Sequence, residues 1–174
     1  MTGSMNSIVL AALTRSAQIR YRTFRATFLS VTIMVASGVH APAATNEAKA
    51  RALFTKFVAA QNAHSVSDVK TTLWNSPRML LYARGVEIRG PDAVADRFKE
   101  FYAGTWHIEP DMSQFHVTSI SNDVMQILVP VVFTQGIPGQ PSQDKKFTVS
   151  QTYVHDANGW HIASIMSMSN AQPK

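Results

Sequence analysis

The chain has 174 residues, no cysteine, 45% hydrophobic and 16% charged side chains, and a formal net charge of +5 at pH 7. Four arginines (Arg15, Arg20, Arg22, Arg25) and no acid fall within the first 43 residues, which leaves twelve basic against eleven acidic side chains in the remainder. The basicity therefore belongs to the N-terminus, and with the other basic residues scattered apart from Lys145-Lys146, nucleic acid is not an expected partner. Without cysteine there is no disulfide framework, so the domain must stand on its core alone.

The arginines precede an uncharged, mostly apolar run over residues 26–39, followed by His40-Ala41-Pro42-Ala43-Ala44. A basic segment, a short apolar segment and small residues at 41 and 43 follow the order of a secretory signal peptide. The predicted organisation is a signal peptide over 1–43, cleaved after Ala43, and a single domain over 44–174. An uncleaved anchor is the alternative, but a spanning helix needs roughly 20 apolar residues, and His40 and Pro42 interrupt this run. Met5 offers a second possible start. No adjacent Arg pair precedes the apolar run, which favours the general secretion route over the twin-arginine one. The expected location is the periplasm or the outside medium, with no stable membrane insertion after cleavage.

Residues 46–62 carry Ala50, Leu53, Phe54, Phe57 and Val58 on one stripe with Lys49, Arg51 and Lys56 off it, which predicts a first helix. Ser65-Val66-Ser67-Asp68 has the form of a capping box and predicts a short second helix through Val69, Leu73 and Trp74, stopped by Pro77. Met79-Leu80-Leu81-Tyr82 reads as a strand, Ala83-Arg84-Gly85 as a tight turn, and Val86-Glu87-Ile88 as the return. Gly90-Pro91-Asp92 opens a third helix whose buried stripe is Val94, Phe98, Phe101 and Tyr102. Four long strands then follow over 106–119, 124–134, 146–155 and 160–169, the last two joined by Asn158-Gly159, a strong hairpin signal. Pro110 and Pro130 lie inside two of these runs and predict a bulge or kink at each. The order of elements predicts an α+β domain in which a curved antiparallel sheet wraps three N-terminal helices.

Phe57-Val58-Ala59-Ala60-Gln61-Asn62-Ala63, the capping Ser65-x-x-Asp68, Gly90-Pro91-Asp92-Ala93-Val94 with Phe98-x-x-Phe101-Tyr102, and Asn158-Gly159-Trp160-His161-Ile162-Ala163-Ser164 together resemble the nuclear transport factor 2-like superfamily. Within it the chain is most similar to ketosteroid-isomerase-like and SnoaL-like domains, over residues 46–168. The resemblance implies a cone-shaped (cystatin-like) roll enclosing a pocket, and dimerisation through the outer sheet face, as in many members. It leaves function open, because this fold hosts isomerases, dehydratases, cyclases, epoxide hydrolases and proteins without catalysis. Ketosteroid isomerases use an Asp base beside an oxyanion hole of a Tyr and a protonated Asp. Carried over through the motifs, the Tyr falls on Phe57, the base on Leu81 or Tyr82, and the protonated Asp on Gln151. Phenyl cannot donate a hydrogen bond, and with no carboxylate between Met79 and Arg84 there is no general base at that place. Steroid isomerisation is not expected, and an Asp-Arg-Asp arrangement of the epoxide-hydrolase type finds no match.

His107-Ile108-Glu109-Pro110-Asp111 places titratable groups at alternate positions of a strand, where His107 and Glu109 share a face. If that face lines the pocket, they offer a base and its orienting partner; otherwise they are solvent-facing residues near a strand end. The spacing is not a recognised metal motif, and neither a metal nor another cofactor is expected. Phe147, Val149, Gln151 and Tyr153 alternate on one face of a later strand, a mixed apolar and hydrogen-bonding wall suited to a ligand, to a dimer interface or to plain core. Met166 and Met168 share the parity of Ile162 and are expected in the core. The leading expectation is an exported domain that binds a small, largely apolar molecule in a pocket lined by Phe54, Phe57, Trp74, Tyr82, Phe98, Trp106, Gln151 and Tyr153. Two alternatives are an isomerase or hydro-lyase using relocated acid-base groups at His107 and Glu109, and a homodimeric interaction module.

Overall fold

The computed structural model describes residues 45–170. The expected export segment over 1–43 lies outside the described residues. Among the described residues no helix is long and apolar enough to cross a membrane.

Helix α1 (Asn46–Asn62) starts where the Thr45 hydroxyl accepts from the Ala48 amide at 3.2 Å, satisfying one of the free N–H groups of the first turn. Its stripe buries Ala50, Phe54, Phe57, Val58 and Gln61. Helix α2 (Val66–Thr72) is capped by Ser65, whose hydroxyl accepts from Asp68 N at 3.3 Å. It ends at Thr72, ahead of the predicted stop at Pro77. Leu73 is already extended and bridges Ile162, and Trp74 N donates to Ile162 O at 2.9 Å, so tertiary pairing with the last strand draws these residues out of the helix. Helix α3 (Pro91–Phe101) has Pro at its first position and buries Val94, Ala95 and Phe98.

The strands are β1 (Leu80–Ala83), β2 (Val86–Arg89), β3 (Thr105–Pro110), β4 (His116–Ser121), β5 (Val124–Gly136), β6 (Gln143–Asp156) and β7 (Gly159–Ser169). They form one sheet in the order β2-β1-β7-β6-β5-β3, with β4 also pairing β5. All neighbours are antiparallel except β1 and β7, which run parallel through Leu80↔Ser164 to Tyr82↔Met166. The β1–β2 turn places Arg84 at φ 54° and Gly85 at φ 79°, the pair of positive φ values that a two-residue type I′ hairpin requires.

The predicted strand over 106–119 is two strands. Proline ends β3 at Pro110, and a 3₁₀ turn over Met112–Gln114 intervenes, its first free N–H taken by the Asp111 carboxylate (Ser113 N to Oδ1, 3.0 Å). Donation from the Ser113 and Gln114 side chains holds the Asp111 carboxyl below its usual range. Pro130 makes no bulge, since the β5–β6 register runs through Pro130↔Thr148 unbroken. The Pro130 carbonyl accepts from Asp111 N at 2.9 Å, so its missing N–H falls on the edge where β5 exchanges β4 for β3.

The register shifts lie elsewhere, one in β4 at Ile120 and one in β7. Thr152 pairs Ser164 while Tyr153 pairs Ile162, leaving Ala163 as the extra residue of β7. One inserted residue reverses the alternation of side chains beyond it. Ile162 and Ile165 therefore both face the core, and Met166 and Met168, expected inside, are 40% and 47% exposed on the opposite face.

Candidate functional site

The helices cover the concave face of the sheet and leave a cavity there. Helix α1 contributes Phe54, Phe57 and Gln61, α3 contributes Phe98 and Phe101, and β3 contributes Trp106 and Ile108. The other wall is Leu81 and Ala83 of β1, Phe133 and Gln135 of β5, Phe147, Val149 and Gln151 of β6, and Ile165 and Ser167 of β7. Arg84, in the β1–β2 turn, is the one charged lining residue among them. Aromatic rings meet around the space: Phe57 on Phe98 edge-on at 5.7 Å, Phe101 parallel to Trp106 at 4.7 Å, Trp106 on Phe133 at 5.0 Å, and Phe133 edge-on to Phe147 at 5.4 Å. Such contacts fix ring orientations beyond what burial alone does.

The C-terminal end of α1 holds β3, and with it Trp106, in place. The Asn62 amide bonds both Ile108 N (2.8 Å) and Ile108 O (2.9 Å), standing in for a neighbouring strand on that edge. His64 Nε2 lies 2.8 Å from Trp106 O, and its ring stacks on Tyr102 at 4.9 Å.

The cavity itself is narrow, about 50 Å³, which is room for about four water-sized spheres. Past Arg84, Phe101, Trp106 and Gln135, which line both spaces, lies a vestibule of about 510 Å³ bounded by Arg97, Glu100, Lys145 and the β5–β6 loop. Two buried amides stand in the wall of the inner space. Gln151 is 0% exposed; its Oε1 accepts from the Tyr153 hydroxyl at 2.8 Å, and its Nε2 has no partner among the described residues. Gln61 is 2% exposed and its Nε2 is likewise unpaired, as is the indole Nε1 of Trp106. A buried donor without an acceptor costs about 1–3 kcal/mol, and all three unpaired groups are N–H donors.

Of the eight pocket residues expected from sequence, Phe54, Phe57, Phe98, Trp106 and Gln151 line the cavity. Tyr153 does not: it is fully buried behind Gln151 and holds that amide by its oxygen, while burial pushes its phenol well above the usual range. Tyr82 is 45% exposed on the outer face, because β1 turns Leu81 and not its neighbour inward. Trp74 is half-buried beside β7, outside the cavity lining, as a consequence of the early end of α2. His107 and Glu109 do share a face, but it is the exposed one; Trp106 and Ile108 between them point inward. The acid-base pair considered from sequence is thus set outside the cavity.

Gln61, Arg84, Gln135 and Phe133 were not anticipated in the lining. Gln61 had a signal, since it stands four residues after Phe57 and seven after Phe54 on the buried stripe. Arg84 had none, because a turn residue reaches the cavity only through the pairing of β1 with β7.

No family model matches the chain, and no curated protein matches it in sequence. Solved structures do. A proposed calcium/calmodulin dependent protein kinase II association domain from Xanthomonas campestris superposes with TM-score 0.64 at 15% identity, covering 77% of this chain and 94% of that one. A nuclear transport factor 2-like superfamily protein from Salmonella enterica serovar Typhimurium gives 0.63 at 13%, covering 71% and 89%. A proposed dehydratase of the same fold family from Streptomyces avermitilis gives 0.60 at 15%, covering 71% and 95%. Likeness at these identities is a likeness of fold.

Proposed function

The chain has the nuclear transport factor 2-like fold, and on that premise we propose that it binds a small, largely apolar molecule in the cavity between α1, α3 and the sheet, without the ketosteroid isomerase catalytic set. One observation carries this reading: an almost wholly apolar, aromatic-lined cavity, with the Gln61 and Gln151 side chains as buried amides in its wall, opens past Arg84 and Gln135 into a larger vestibule. A few polar groups among apolar walls is the usual make-up of a small-molecule site. Where the resemblance would place a phenol there is Phe57, and at the inward position of β1, where it would place a base, there is Leu81. Among the residues that line the inner cavity there is no carboxylate and no histidine, so no proton acceptor of that kind stands in its wall. The inner space of about 50 Å³ takes only a small apolar end of a guest, with the remainder in the vestibule.

Export belongs to the same proposal and rests on residues 1–43; mass spectrometry of the protein recovered from its host should show a chain beginning at Ala44. Binding is tested by thermal denaturation with single-ring acids and ketones, terpenes, polyketides and steroids. A guest at ~100 times its dissociation constant adds about 2.7 kcal/mol. A flat response across the whole set would sink the reading.

A second reading, homodimeric association, is favoured by the outer face, where Tyr82, Met166, Ser150 and Leu128 lie side by side across β1, β7, β6 and β5 with three of the four exposed and apolar. Light scattering should give a dimer that Met166→Glu dissociates; a monomer at high concentration removes this reading.

A further inference from the structure

We infer that the cavity selects a guest carrying a carboxylate, whose anionic head is held by Arg84 at the mouth while its apolar body occupies the inner space. This rests on the proposed binding function and specifies its ligand class.

Arg84 is placed where the two spaces meet, lining both the apolar cavity and the vestibule. Its guanidinium is held by the Gln135 side-chain oxygen and lies 5.4 Å from the Phe101 ring centroid. Gln135 is neutral, and among the described residues Arg84 is in no ion pair. The guanidinium of Arg97 lies 4.8 Å from the same Phe101 ring, and Lys145 also borders the vestibule. Against these three cations stands one carboxylate, Glu100, which is already paired with Arg97. The planar guanidinium fork matches a carboxylate in a way that an ammonium does not.

A backbone feature agrees with the charge. Arg84 holds φ 54° in a turn where Asn or Gly is the easy choice, so a side chain of this length is kept at a backbone cost. Deeper in, the wall is apolar apart from the Gln61 and Gln151 amides and Ser167, so the part of the guest that enters it is apolar. An apolar body and a terminal carboxylate answer the lining. A neutral hydrocarbon leaves Arg84 unanswered, and a cation meets Arg84, Arg97 and Lys145 unfavourably.

The test is calorimetric titration of the full chain with benzoate, phenylacetate and cinnamate, each beside its own neutral amide. Binding of the best acid should exceed that of its amide by about tenfold or more, a preference that falls as salt is raised. Arg84→Asn, which suits the positive φ and so should melt no lower than wild type, should abolish the preference, so that acid and amide bind alike. Gln135→Leu, which frees the guanidinium from its tether without removing the charge, should weaken the preference in part. Equal binding of acid and amide, or a preference that survives Arg84→Asn, overturns carboxylate selection and leaves the cavity's binding role intact. No binding of either class at millimolar concentration overturns both.

Discussion

If Gln151 is retained for a guest and not for the fold, removing it together with its partner should stabilise the protein. Tyr153 donates to Gln151 Oε1 at 2.8 Å with both side chains fully buried, and Gln151 Nε2 has no partner among the described residues. Tyr153→Phe alone strips the amide of its one bond and should cost about 1–2 kcal/mol. Gln151→Leu alone relieves the unpaired donor but strands the buried phenol, two effects of about 1–3 kcal/mol each that roughly cancel. In the double variant neither stranded group exists. It should be about 1–2 kcal/mol more stable than wild type, with a coupling energy of about 2–4 kcal/mol between the two sites. For a domain of this size that is a rise of roughly 4–8 °C in Tm. Urea and thermal melts of the four proteins measure the cycle, and the same samples should show that the double variant no longer responds to the guest that stabilises wild type. A double variant less stable than wild type, or a coupling near zero, would refute the view that this amide is kept at the expense of stability.

Asn62→Ala should lower stability by about 2–3 kcal/mol, because it removes two hydrogen bonds and leaves the Ile108 amide without its acceptor; chemical denaturation reads this directly, and a loss under half that size would mean water replaces the side chain. Gly104→Ala should be costly by about 3 kcal/mol or more, since a Cβ there would stand 2.0 Å from the Gly136 carbonyl oxygen, a backbone atom with little freedom to move; an unchanged Tm would show that the β3 and β5 ends are looser than this contact implies. Above the ordinary tyrosine pKa of 10.0 the unfolded chain releases its phenolic protons while Tyr153, whose pKa burial raises, keeps its own. Stability should therefore be flat in this group below pH 10 and fall above it by about 1.4 kcal/mol per pH unit, and Tyr153→Phe should remove that share of the alkaline slope in pH-dependent melts.

Much of the fold was legible in the sequence because its signals are local. The apolar stripe of α1, the Ser65 cap, Pro91 at the start of α3, and Asn158-Gly159 between β6 and β7 each act within a few residues, and each element formed where its signal stood. The helical half of the cavity followed from the same logic, since Phe54, Phe57 and Phe98 lie on stripes that must face a core. Sheet residues were harder. Period-two alternation says that His107 goes with Glu109 and Trp106 with Ile108, but not which pair faces the helices. Met166 and Met168 were misplaced because one extra residue at Ala163 reverses the parity of β7. Tyr82 and Leu81 differ by one position and nothing local separates them, until pairing of β1 with β7 turns Leu81 inward.

What the sequence determined by itself is the set of elements, their order, the near-neutral charge of the domain beyond residue 43, and the lack of a base where the resemblance would need one. What only the tertiary structure decided is the chemistry of the cavity: two buried amides with free donors, a mouth guarded by Arg84, and His107 and Glu109 outside it. The division has a physical cause. Helix stripes, caps and turns are set by neighbours a few residues away, whereas the inward face of a strand and the reach of a turn side chain depend on which distant strand pairs with it and on where a single bulge falls.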